Sequence, residues 1–197
     1  DPTTTLPRVL EYLHSHSRRP AVILGVDTGS ADASPDLVRA AGGTVVAWTR
    51  AYSHPRVLNF GIDHCPTDLV LALSSHTTLE APDTVERMAA CFADARTACV
   101  SGKWDADPFY SDAIDLSELR AKGMKFGSIY SNSMGMLRRA FWQEVKFDDT
   151  LPTAEDYAWA VAQLARGRTC RRLDFPFGYH RAGNNRVYEF AHTIFSI

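Results

Sequence analysis

Short apolar runs alternating with helical patterns constrain this chain more than any other feature. Leu69 to Leu73 reads LVLAL, almost continuously apolar and bounded by polar residues. That is the pattern of a strand covered on both faces. AVILGV, from Ala21 to Val26, is a second such run, and Thr44 to Trp48 is a third. TACVSGK and TCRRLDF supply two shorter strands. Helical patterns lie between them. Leu6, Val9, Leu10 and Leu13 fall on one face of a helix over Leu6 to Ser17, with Pro7 in its first turn and Pro20 as its stop. In SPDLVRAAGG, Ser34 suits an N-cap, Pro35 the first helical position, and Gly42 or Gly43 the close. APDTVERMAACFAD is a helix with Val85, Met88, Ala89 and Phe92 on its apolar side. Strands alternating with helices imply an α/β fold with a mostly parallel sheet.

The remaining segments are weaker. His54 to Cys65 reads as a loop entering a short helix. Trp104 to Gly127 reads as a long polar-aromatic loop with a short helix around Leu116 to Ala121. SNSMGMLRRAFWQEV combines a short strand with a helix from Arg138, and AEDYAWAVAQLARG is a helix with Tyr157, Val161 and Leu164 on one side and Gly167 at its end. The tail after Tyr179 is polar and aromatic. No repeat, low-complexity tract or interdomain linker interrupts the 197 residues, so one compact domain is expected.

A formal net charge of −2 argues against a nucleic-acid binder that works by bulk charge. No apolar run approaches the ~20 residues that span a bilayer. The opening DPTTTLPRVLEYLHSHSRRP lacks the basic start and apolar core of a signal peptide. Cys65, Cys91, Cys99 and Cys170 show no CxxC pairing, which fits free thiols in a reducing compartment such as the cytoplasm.

In open α/β sheets, ligands sit outside the carboxyl ends of the strands. VDTGSAD places Asp27 at such an end and Asp32 five residues on. A carboxylate there can bind a base or ribose, or simply make an Asx-turn and cap a helix. Ser74, Ser75 and His76 end the LVLAL strand. A neutral imidazole there can ligate a divalent metal or act as a base, or be hydrogen-bonded in a polar loop. TAEDYAW opens a helix with Glu155 and Asp156, either as acids that suit the macrodipole or as a general base for an attacking hydroxyl. His180, beside Tyr179, is a metal ligand or a loop histidine. No GxGxxG, P-loop, GxSxG or HExxH motif is present.

The order of these features is more specific than any one of them. VDTGSAD, then LNFGID, then a strand ending in a polar motif before LEAPDTVERM, then ACVSGK, then SNSMGMLRRAFWQEVKFDDTLPTAEDYAWAVAQLARG and YHR, resembles the family 2 glycosyltransferases of the GT-A fold. The likeness runs from Leu6 to about Arg181, and the block from Phe147 to Trp159 is its most specific part. The resemblance implies a single Rossmann-like domain, with nucleotide binding over about residues 1–103 and acceptor binding over about 104–197. It implies an inverting transfer from a nucleotide-sugar donor to a glycan or lipid-linked acceptor, in surface polysaccharide or glycan synthesis. By the same resemblance, Asp156 looks like the base that deprotonates the acceptor, with Glu155 beside it in the catalytic pair. Asp27 looks like the acid on the nucleotide base. Asn59 and Gly61 fall where the family approaches the donor, Ser131 and Asn132 where it lines the sugar pocket, and Ser74 at the diphosphate motif. His180 matches a histidine that completes the metal site. Mn²⁺ or Mg²⁺ is the implied cofactor, and cytoplasmic work with peripheral contact at the inner face of a membrane is the implied setting.

Two departures qualify this. At Ser74-Ser75-His76 the family's acidic DXD motif is replaced by serine and histidine, so a metal would rest on His76 and His180 and bind weakly. The family's first strand, ahead of the first helix, is expected to be missing from this sequence. These departures keep a second reading in play, a non-catalytic GT-A domain that binds nucleotide, glycan or a partner protein. A third, another nucleotide-binding enzyme such as a nucleotidyltransferase, lacks its glycine-rich basic phosphate loop. The aromatic residues Trp104, Phe109 and Tyr110 either stack on acceptor sugars or anchor their own loop.

Overall fold

The computed structural model describes residues 2–75, 77–78, 81–103, 109–123, 129–176, 178–179 and 190–196. In chain order the elements are α1 (Pro2–Ser15), β1 (Val22–Asp27), α2 (Ser34–Ala40), β2 (Thr44–Ala47), α3 (His54–Asp63), β3 (Leu69–Leu73) and β4 (Thr77–Thr78). Then come α4 (Thr84–Ala90), which runs into a 3₁₀ turn at Cys91–Ala93, β5 (Thr97–Lys103), β6 (Tyr110–Ile114), α5 (Leu116–Ala121) and β7 (Met134–Arg138). The last are α6 (Arg139–Glu144), α7 (Glu155–Leu164), β8 (Thr169–Pro176), β9 (Gly178–Tyr179) and β10 (Phe190–Ser196).

One sheet runs in the order β2-β1-β10-β3-β7-β5-β8-β6, and β4 pairs with β9 as a separate ribbon. β1 and β2 are parallel, and so are β5 and β8. β10 is antiparallel to both β1 and β3, and β7 to both β3 and β5. β1, β2, β3, β5 and β8 therefore share one direction, and β6, β7 and β10 oppose it. The sheet is mostly parallel in strand direction, as the alternating pattern predicts, with reversed strands set between the parallel ones.

Helices cover both faces, because side chains on successive strand residues point to opposite sides. On one face Leu71, Leu73, Met134, Met136 and Val100 meet Leu6, Leu10 and Leu13 of α1, Val38 of α2, and Val85 and Met88 of α4. On the other, Val70, Leu137, Cys99 and Cys170 meet Val57, Leu58 and Ile62 of α3, Trp142 of α6, and Trp159, Ala160 and Leu164 of α7. A register shift between Thr97 and Cys99 puts Ala98 and Cys99 in the same core.

Four expectations need correcting. α3 is a ten-residue helix beginning at His54, with Pro55 in its first turn, where a loop entering a short helix was expected. The long loop after Lys103 contains β6, an edge strand whose YSDAI sequence is too polar to register as a strand. The tail contributes β10. On α7 the buried stripe is Glu155, Trp159, Ala160, Gln163 and Leu164, with Tyr157 and Val161 only packed at its border.

Candidate active site

Reversed strands bring two chain segments together at the carboxyl end of β3, in the middle of the sheet. Met134 opposes Leu73 across the β3–β7 ladder, so the residues before β7 meet the residues after β3. Ser74 donates its backbone N–H to the Ser133 carbonyl at 3.1 Å, and the Thr77 hydroxyl donates to the same oxygen at 2.8 Å. Ser74, Ser131 and Asn132 are all buried here. The Ser131 hydroxyl accepts from the Ser133 N–H at 3.3 Å, and Ser75 holds Thr5 of α1 through its carbonyl at 2.7 Å. Gly135 makes this crossing possible. A β-carbon there would sit 2.3 Å from the Ser131 carbonyl oxygen and 2.5 Å from the Tyr130 ring.

α7 begins against this loop. Its cap, Ala154, has φ 63° and ψ 25°, the one positive φ outside glycine among the described residues. An alanine in that region is strained by roughly 1–2 kcal/mol. The turn delivers Glu155 inward and leaves Asp156 partly accessible. Asn132 then joins the two acids. Its amide Nδ2 donates to Glu155 Oε1 at 3.2 Å, and its backbone N–H donates to Asp156 Oδ2 at 3.3 Å. The Asn132 side-chain oxygen is buried without a protein partner among the described residues. The other Asp156 oxygen accepts from the Tyr157 N–H at 2.7 Å.

The two neighbouring acids are driven apart. Burial pushes the Asp156 carboxyl up, the Glu155 charge adds to the rise, and the two backbone donors oppose it; the net shift is upward. Burial also pushes Glu155 up, but the hydrogen bond and charge of His54 outweigh it, and the net shift is downward. A carboxylate held above its ordinary range and reachable from solvent is suited to take a proton, whereas its partner stays ionised.

Sequence reasoning did not single out His54. It is the first residue of α3, and its Nε2 lies 3.2 Å from Glu155 Oε1. A helix start at HP could have flagged it, but the contact with α7 spans about half of the chain. Beneath the acids lies a buried layer of Tyr130, Trp159, Cys99, Cys170 and Arg172. The two thiols are 3.2 Å apart on neighbouring strands. Burial pushes the Cys99 thiol and the Tyr130 phenol well up, so both stay neutral.

The remaining candidates are placed differently. Asp27 ends β1, but its Oδ1 accepts from the Gly29 N–H at 3.2 Å, the Ser30 N–H at 2.9 Å and the Ser30 hydroxyl at 2.7 Å. This is the Asx-turn reading. Asp32 accepts from the Ser34 N–H at 2.8 Å just ahead of α2, where Ala33 takes the N-cap position and Ser34, expected there, is the first helical residue. Asn59 points into the protein. Its amide donates to the Phe147 carbonyl at 2.9 Å, and its oxygen accepts from Trp142 Nε1 at 3.0 Å and the Phe147 N–H at 3.1 Å. Those bonds tie α3 to α6 and to the segment that follows it. Gly61 is buried within α3 and accepts from the Cys65 thiol at 3.5 Å. Tyr110 is buried and donates to the Ile129 carbonyl at 3.2 Å, so it anchors its segment, while Phe109 is exposed. Trp104, His76 and His180 lie outside the described residues. Among the described residues, no three histidine, cysteine or acidic side chains group as metal ligands. No helix among them is long and apolar enough to cross a membrane. A groove of about 540 Å³ beside Arg18, Asp68 and Arg138 lies at the opposite end of β3, away from these acids.

No protein-family model matches the chain, and no curated protein matches it by sequence. Solved structures do match its fold. A mannosyltransferase from Pyrobaculum calidifontis, solved with GDP-Man and Mn²⁺, superposes with a TM-score of 0.66 at 15% identity, covering 89% of this chain and 52% of that one. Glucosyl-3-phosphoglycerate synthase from Mycobacterium tuberculosis, solved with Mn²⁺, UDP and glucosyl-3-phosphoglycerate, gives 0.69 at 13% identity, covering 91% of this chain and 68% of that one. A further mycobacterial protein gives 0.70 at 15% identity, covering 93% and 65%. The chain thus has the Rossmann-like GT-A architecture, and it spans about half of the mannosyltransferase and about two thirds of the other two.

Proposed function

We propose that this chain is the core of a glycosyltransferase that moves a sugar from a nucleotide-diphosphate donor to a hydroxyl acceptor with inversion. The observation that carries the reading is the Asn132-bridged pair of acids at the start of α7, beside the carboxyl end of β3, with Asp156 raised and partly accessible and Glu155 lowered. Asp156 takes the proton of the acceptor hydroxyl. The acceptor oxygen forms its bond to the anomeric carbon as the bond to the diphosphate breaks, and the nucleoside diphosphate leaves with the electron pair. Asn132 holds both acids in register, and Ser74 and Ser131 offer polar groups beside them. The neighbours in fold include enzymes solved with GDP-Man and with UDP-Glc, which supports a nucleotide-sugar donor. A hexosyltransferase of family 2 type, acting in the cytoplasm on a glycan or lipid-linked acceptor and touching the inner face of a membrane, is the setting that fits the sequence resemblance.

His76 and His180 would hold a divalent cation, Mn²⁺ or Mg²⁺, and such an ion when bound supplies positive charge for the departing diphosphate. Their chain neighbours Thr77 and Tyr179 are register partners in the β4–β9 ribbon, which supports the pairing. Imidazoles without a carboxylate make a weak site for these metals.

The test combines binding with turnover. UDP or GDP should raise the melting temperature, with a larger rise in Mn²⁺. Asp156→Asn should lower transfer by roughly 10²–10⁴-fold while the protein stays folded. Retained turnover in that variant removes Asp156 from the base role. A second reading, a GT-A domain that binds nucleotide or glycan without catalysis, is favoured by the Asp27 carboxylate being engaged by its own loop. It gains if nucleotide binds but no donor in a broad panel is hydrolysed or transferred.

A further inference from the structure

His54 stands between the solvent and the two acids. Its side chain is 32% exposed, whereas that of Glu155 is 4% exposed. Its Nε2 reaches Glu155 Oε1 at 3.2 Å, and its Nδ1 lies 3.2 Å from the Tyr52 hydroxyl. Both protonation states of the ring are accommodated by this geometry. In the neutral ring Nε2–H donates to Glu155 while Nδ1 accepts from the Tyr52 hydroxyl. In the cation Nδ1–H donates to the Tyr52 oxygen instead. The imidazole can therefore gain or lose its proton without breaking its hold on α7.

We infer that His54 is a positioning residue that sets the proton affinity of Asp156 through Glu155, and so makes the basicity of the site depend on pH. The inference rests on Asp156 being the acceptor base. Among the described residues, the groups that face His54 include Tyr52 from the segment leading into α3, Glu155 of α7, with Asp156 feeling its charge, and Asn132, which shares Glu155 Oε1 with the imidazole. Arg56, in the same first turn of α3, is turned to Asp149.

The direction follows from charge. When His54 is protonated it offsets Glu155, and Asp156 feels little of its neighbour's negative charge. When His54 is neutral, Glu155 acts on Asp156 unopposed, and Asp156 binds a proton more tightly. A carboxylate that stays ionised but binds a proton more tightly is the better general base. Transfer should rise as pH increases through the imidazole titration.

Carbon-13 NMR of the side-chain carboxyls, with Asp156 assigned through Asp156→Asn, reads this without any donor sugar. His54→Gln should shift the Asp156 midpoint upward, and Glu155→Gln should shift it downward. His54→Lys, which keeps a permanent cation, should hold the midpoint low and flatten its coupling to the imidazole. In a turnover assay with UDP-Glc or GDP-Man, the rise through the imidazole titration should vanish in both His54 variants. An unmoved Asp156 midpoint in His54→Gln and His54→Lys proteins of wild-type melting temperature overturns the inference, even if Asp156→Asn is inactive. Coupling together with full transfer by Asp156→Asn leaves the electrostatic link intact but overturns its role in catalysis, because the base reading has then failed.

Discussion

Asp27, at the carboxyl end of β1, and Asp156, in the first turn of α7, are both acids that the sequence offers for chemistry, and the chain treats them in opposite ways. Asp27 follows β1 into a loop that returns three donors to one of its oxygens. Asp156 opens α7 beside a second acid, over a buried layer of aromatic rings and thiols, and burial raises its affinity for a proton. The first is a carboxylate used to shape its own turn, and the second is held at a chemical disadvantage. Position at a strand end is therefore a weak guide to chemistry. What separates these two acids is how far the surrounding bonds satisfy the charge of each.

Stability against pH sharpens the contrast within the acidic pair. Glu155 has a folded pKa below its unfolded one, so its ionised form stabilises the fold above the unfolded value, and that contribution is lost as pH falls through the folded value. Asp156 has a raised folded pKa, so its ionisation costs stability as pH rises through that value. At neutral pH, Glu155→Gln should lose about 1.5–3 kcal/mol, the scale of a hydrogen bond to a charged group. Asp156→Asn should instead be more stable than wild type. Urea denaturation at neutral pH and again in acid, where both carboxyls are protonated, should show the two differences shrinking together. Equal losses in both variants would erase the distinction.

A smaller effect is expected at the turn that delivers the pair. Ala154→Gly relieves the left-handed alanine but gains freedom when unfolded, so a net stabilisation of about 0.5–1 kcal/mol should appear in the same denaturation assay. The smallest change belongs to Asp27. Asparagine can make the same turn, so Asp27→Asn should alter stability by less than about 0.5 kcal/mol. Any loss of the melting shift produced by UDP or GDP in that variant would assign Asp27 a ligand role that its own loop does not require.

Much of this was open to reading from the sequence, where burial imposes a pattern. LVLAL and AVILGV had to be strands because each is covered on both faces, and α1 shows its buried stripe at Leu6, Val9, Leu10 and Leu13. Edge strand β6 was hidden because one side of it needs no apolar partner. Glu155 and Asp156 stood out as acids at a helix start. Their opposite shifts could not be read, since these depend on Asn132 and His54, which arrive from distant parts of the chain. The bonds of Asn59 were hidden for a related reason, because an amide that ties Trp142 to Phe147 looks in sequence like any other.

β10 gives the candidate site a width. Remove that strand and no hydrogen bond of the sheet joins the β2–β1 pair to the block from β3 to β6. Asp27 ends the last strand of the first block, and Ser74 follows the first strand of the second. Their separation is thus counted in strand spacings, two of them, or about 10 Å. Asp27 and Ser74 thus belong to separately paired halves of the sheet, and a single intervening backbone is the spacer that sets the distance between them.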